Sequence, residues 1–170
     1  MKKVIFLAAI AFTCLAANAQ SNYQHAIGMR FSSNVYYDAA AASYKFFVSR
    51  PGAIELNLGI GDRRYWDNGN YEHAHGVSFA GTYQHHFPIK PVPGLKWFVG
   101  GGLVLFNTRA NVPQYDGFGA GIYPTGGIDY KFNRIPLNLS ADVRPIIHIT
   151  APSDFETVYP TVGVAARYTF

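Results

Sequence analysis

Thr161-Val-Gly-Val-Ala-Ala-Arg-Tyr-Thr-Phe170 closes the chain, and its residues alternate in character. Val162, Val164, Ala166, Tyr168 and Phe170 share one parity, while Thr161, Gly163, Ala165, Arg167 and Thr169 share the other. Successive side chains of an extended strand point to opposite faces, so this segment has one apolar and one polar side. Working back from it, the same period of two recurs over residues 23–32, 39–49, 53–61, 73–87, 95–108, 118–132 and 135–150. The stretch 95–108 is the least regular, with Trp97, Val99, Leu103 and Leu105 opposed to Phe98, Val104 and Phe106 around three consecutive glycines. An all-β, eight-stranded antiparallel up-and-down transmembrane β-barrel is the fold this reading predicts.

The charges decide between barrel types. Arg30, Lys45, Glu55, Asp129, Lys131, Asp142, Arg144 and Arg167 all fall on the polar parity of their segments. A soluble lipocalin-like barrel would turn the charged side to water and line its interior with the apolar side. A membrane barrel does the reverse, with a lipid-facing apolar band and a polar lumen. Aromatic placement favours the second. If both termini lie at one end, taken as periplasmic, the turns fall near 49–52, 87–94 and 133–134, and the loops near 33–38, 62–72, 107–117 and 151–158. Phe46, Phe87, Trp97, Tyr130, Phe132, Tyr168 and Phe170 then gather on the apolar face at the turn end, as an interfacial girdle requires.

The first residues carry an address. Met1-Lys2-Lys3 precedes an apolar run over 4–12, and Ala17-Asn18-Ala19 precedes Gln20, so the pattern is that of a secretory signal peptide (1–19) cleaved after Ala19. The run is too short for the ~20 residues of a spanning helix. Cys14, the only cysteine, leaves with the leader, as do two of the fourteen basic residues. The mature chain, 20–170, has no disulfide or thiolate and only a small positive excess over ten acidic residues. That balance is no nucleic-acid footprint.

The terminal Tyr168-x-Phe170 resembles the carboxy-terminal signal of Gram-negative outer-membrane barrels, although the glycine five residues before the last aromatic in its fuller form is replaced here by Ala165. With the leader and the girdle, the chain resembles the small OmpA/OmpX-like barrels of the outer membrane protein β-barrel domain, or porin-like, family. The resemblance implies an integral place in the cell outer membrane, contact with lipid and lipopolysaccharide, and assembly by the barrel-assembly machinery. It implies no single activity.

Function therefore rests on the residues. Eight strands leave a lumen just wide enough to be filled by side chains, so the eight polar-face charges are expected to pair as a plug, with a minor small-solute pore as the alternative. Arg63, Arg64, Tyr65, Trp66 and Tyr71, in the second loop, are residue types enriched in binding hot spots and form a candidate site for an extracellular protein ligand. Their alternative role is an aromatic belt with arginines on lipopolysaccharide phosphates. His73 and His75 share a strand face near Asp62, but zinc needs three or four ligands, and no metal or cofactor is expected. His148-Ile-Thr150 resembles the His-x-Ser pair of the outer-membrane lipid A deacylase, with Thr in place of Ser. Both residues take the lumen parity, so a non-enzymatic barrel is the primary reading and a lipid A-modifying enzyme the alternative.

Overall fold

In the computed structural model, residues 23–67 and 69–170 are described; the leader, its cleavage site and Cys14 lie outside them. The strands are β1 (His25–Ser32), β2 (Ala40–Phe47), β3 (Gly52–Asp67), β4 (Asn70–Pro88), β5 (Leu95–Arg109), β6 (Gly117–Lys131), β7 (Leu137–Thr150) and β8 (Val158–Thr169). Each pairs antiparallel with its sequence neighbours, and β8 returns to β1, with Arg30 opposite Ala165, to close the barrel. Closure leaves no open sheet edge, the condition for spanning lipid with strands.

Burial is inverted relative to a water-soluble barrel. Arg30 and Lys45 are 0% exposed, whereas Leu58 and Val162 on the outer wall are 63% and 58% exposed. A charged core inside an apolar wall is stable only where the outside is not water, and the fold is accordingly an eight-stranded antiparallel up-and-down transmembrane β-barrel. The expected parity holds in β5 as well: Phe98, Val104 and Phe106 are buried, while Trp97, Val99, Leu103 and Leu105 face out.

Two features differ from expectation in ways that move candidate residues. The segment 62–72 is no loop, because β3 and β4 stay paired from Asp62 opposite His75 to Asp67 opposite Asn70. It is a hairpin standing above the barrel, and Trp66 lies within β3. Polar and aromatic residues there mask a period of two that continues past the apolar wall. In β7 a bulge opposite Ala120 and Gly121 leaves His148 paired with Gly121 and Thr150 with Ala120. One extra residue reverses parity, so Thr150 shares the outer-wall side of Ala120 and not the lumen parity expected for it.

Candidate functional site

Four strands and one loop supply the charges in the middle of the lumen. Arg30 on β1 lies 2.7 Å from Asp142 on β7 and 2.7 Å from Asp38, which the loop between β1 and β2 turns inward. Arg144 bridges Asp142 and Glu55 at 2.8 Å each. Glu55 on β3 also takes Arg167 of β8 at 2.9 Å and accepts hydrogen bonds from Asn57 and Gln84. Arg167 donates in addition to Ser43 and Ser140. Nearer the turn end, the Lys45 ammonium is bonded to Asp129 and to His86 Nε2, and Asn138 donates to the other oxygen of Asp129.

Four cations (Arg30, Lys45, Arg144, Arg167) thus meet four acids (Asp38, Glu55, Asp129, Asp142). Seven of the eight expected charges join this network. Lys131 does not: although buried, it donates to the carbonyls of Phe132 and Ile135 and ties down the β6–β7 turn. Asp38 is not legible from alternation, since loop residues have no parity to read. The signal for the bore's shape lay in glycines of the polar parity. A Cβ on Gly163 would lie 2.2 Å from the Arg30 guanidinium, and one on Gly119 would strike the Phe106 ring.

The mouth is filled differently. The β1–β2 loop folds into the bore, where Tyr36 and Tyr37 pack with Val104, Phe106, Tyr123 and Ile146, and with Phe155 of the last loop. Tyr37 stacks on Phe106 at 4.0 Å. A Cβ at Gly61 or Gly76 would meet the loop backbone at 2.4 or 2.1 Å, so glycine there makes room for the inserted loop. His148 completes this cluster. Its Nε2 is 3.0 Å from the Tyr37 hydroxyl and its Nδ1 is 2.6 Å from the Glu156 carbonyl, so both ring nitrogens are engaged. A base for Thr150 needs a free nitrogen aimed at the hydroxyl, and the bulge sends Thr150 to another side.

Strand alternation divides the five hairpin residues. Arg63 and Tyr65 turn toward the barrel axis: the Arg63 guanidinium sits 4.2 Å over the Tyr36 ring, and Tyr65 packs on Tyr115 at 5.1 Å. Arg64, Trp66 and Tyr71 face outward, with Trp66 and Tyr71 edge to face at 4.7 Å and both largely exposed. On the same outer side His73 Nδ1 lies 2.8 Å from Asp62, and His75 Nδ1 is 3.7 Å from its other oxygen. The hydrogen bond from His73 holds the Asp62 carboxyl below its ordinary range. Among the described residues, no three His, Cys, Asp or Glu side chains form a group able to hold a metal ion.

At the turn end the girdle is continuous where strands meet. Phe87 stacks on Trp97 at 4.4 Å, Tyr130 meets Phe132 at 4.7 Å, and Tyr168 lies 6.4 Å from Phe170. Phe170 in turn stacks on His25, which is bonded to the Tyr44 hydroxyl. His25 and Tyr44 extend the expected set.

No protein-family model and no curated protein matches the sequence. Among solved structures, the chain is similar to Ail, the attachment invasion locus protein of Yersinia pestis, at 13% identity over 86% of this chain and 97% of that one, with a TM-score of 0.46. It is also similar to CarO2 of Acinetobacter baumannii, at 12% identity over 88% and 100% of the two chains, with a TM-score of 0.42. Likenesses this distant transfer no activity or partner. Strand number, up-and-down topology, inverted burial and a side-chain-filled bore together give the chain the OmpA/OmpX-like fold.

Proposed function

We propose that the protein is a non-enzymatic, integral outer-membrane β-barrel whose mature chain begins at Gln20. Its closed end presents the β3–β4 hairpin and the neighbouring loops outside the cell, for envelope integrity, adhesion or binding. The observation that carries this reading is the inversion of burial: an ion network balanced four against four inside an apolar outer wall. Lipid covers the wall, Tyr168 and Phe170 are the residues the barrel-assembly machinery reads, and Arg64 and Arg109 face lipopolysaccharide phosphates. Trp66 and Tyr71 are the outward groups offered to an extracellular protein.

The lumen supports a plug better than a small-solute pore, since the mid-bore cations are held by acids and the mouth by rings. Cell fractionation with heat-modifiable gel migration tests the assignment. The expected result is fractionation with the outer membrane and a mobility shift on boiling; release by a salt wash without such a shift contradicts it. The deacylase-like alternative has little support, because His148 is bonded on both nitrogens and Thr150 lies on the far side of a bulge. Lipid A from cells with and without the protein is expected to carry the same acyl chains.

A further inference from the structure

The charges outside the lumen are segregated between the two ends. Around the hairpin and loops, six acids (Asp62, Asp67, Glu72, Asp116, Asp154, Glu156) outnumber three arginines. At the opposite end, the three turns over 48–51, 89–94 and 132–136 each carry one exposed cation, Arg50, Lys90 and Arg134, and contain no acidic side chain. Lys96 stands half-buried beside them, its ammonium 5.2 Å over the Phe47 ring. Asp129, opposite Lys96 in the β5–β6 register, is buried and already bonded to Lys45 and Asn138. Among the described residues none of these four cations has an ion pair, whereas every cation in the mid-lumen network has one.

Two further observations give this rim a ligand. It lies just beyond the aromatic girdle of Phe87, Trp97, Tyr130 and Phe132, and such girdles sit at the level of lipid headgroups. A cavity of about 420 Å³ also opens there between Arg50 and Lys96, lined in addition by Tyr23, Phe47 and Ser49. Unpaired cations beside an apolar ring suit a phosphate attached to a greasy body.

We propose that the turn end is an anionic phospholipid-binding rim, in which Arg50, Lys90, Lys96 and Arg134 hold the headgroup phosphates of the adjoining leaflet and the Arg50–Lys96 cavity seats one of them. The proposal rests on the membrane reading above. Attraction of one end and repulsion of the acidic other end by an anionic surface would also favour a single orientation during insertion.

The test uses the refolded barrel in phosphatidylcholine nanodiscs containing a minor share of spin-labelled phosphatidylglycerol, compared with spin-labelled phosphatidylcholine. A juxtamembrane cation strengthens anionic-lipid association about five-fold. The wild-type protein is therefore expected to enrich phosphatidylglycerol at its perimeter by about five-fold, an enrichment that falls in molar salt. The combined variant Arg50→Gln, Lys90→Gln, Lys96→Gln, Arg134→Gln is expected to abolish it. A barrel that inserts and shows its heat shift but enriches no anionic lipid overturns the rim alone. Enrichment that survives the fourfold variant, or that millimolar inorganic phosphate removes, overturns it too, the latter by assigning the cavity to a free anion. Failure to enter nanodiscs at all overturns the membrane reading with it.

Discussion

In the middle of the lumen, Arg30, Arg144 and Arg167 reach across the bore to Asp142 and Glu55, whereas at the mouth the same bore is filled by Tyr36, Tyr37, Phe106 and Phe155. Both regions exclude water, but their parts come from different places. Apart from Asp38, the middle is built from strand residues, held in position by the ladder, and its stability is bound to barrel closure. The mouth is closed by the loop residues Tyr36, Tyr37 and Phe155 packed on strand side chains, and these loops can open without breaking the ladder. The contrast teaches that one filled bore has two separable stabilities, global in the middle and local at the mouth.

The largest effect expected from that contrast is at Glu55. Glu55→Gln leaves Arg144 and Arg167 without their shared carboxylate, and breaking a buried pair costs roughly 3–5 kcal/mol. Urea unfolding of the barrel in lipid vesicles measures it, and Arg144→Met should fall in the same range by stranding the other side. If the two substitutions together cost as much as their sum, the pair is not coupled and the network reading fails. Gly163→Val comes next, because its side chain would collide with the Arg30 guanidinium; overpacking of this kind costs about 1–3 kcal/mol. An unchanged midpoint would mean that Arg30 has room to move.

At the mouth, Tyr37→Ala should lower global stability by only about 1 kcal/mol, the scale of a lost ring stack. Its main effect is expected in amide exchange, with residues 33–39 exchanging faster and the strands unchanged. Faster exchange throughout β1 and β7 would join the two regions into one cooperative unit and remove the contrast. The smallest effect lies outside both, on the hairpin. His73 keeps the Asp62 carboxyl below its ordinary range, so their contact is present above the usual carboxylate range and is lost only as pH falls through the lowered value. In His73→Ala, the Asp62 titration followed by NMR should move up; no movement would mean that the contact is not formed in solution.

Much of this architecture could be read from alternation alone. Arg30, Lys45, Glu55, Asp142, Arg144 and Arg167 were assigned to the lumen because a strand leaves each residue only two faces. Their partners were not legible, since pairing across the bore depends on register and tilt, and Asp38 comes from a loop that has no period. Alternation also failed where a local irregularity broke the count: the bulge in β7 changes the side that Thr150 takes, while His148, before it, keeps its place. On the hairpin the period was present but disguised. Arg63, Arg64, Tyr65 and Trp66 are polar or amphipathic on both sides, so a continuing strand read as a loop, and the split between inward Arg63 and Tyr65 and outward Arg64 and Trp66 appeared only in the structure. Lys131 shows the converse limit, because its parity is right but it lies too close to the turn to reach an acid.

The central claim, an apolar wall in lipid with a hairpin standing clear of it, can be measured with the chain's own two tryptophans, Trp97 in the girdle and Trp66 on the hairpin. In vesicles, Trp66→Phe leaves Trp97 as the sole indole and Trp97→Phe leaves Trp66. Fluorescence is then quenched separately by lipids brominated along their acyl chains and by aqueous iodide. The account predicts that Trp97 is quenched by brominated lipid and protected from iodide, and that Trp66 shows the opposite pattern. Iodide quenching of Trp97 without any effect of brominated lipid would contradict it and place the apolar wall in water.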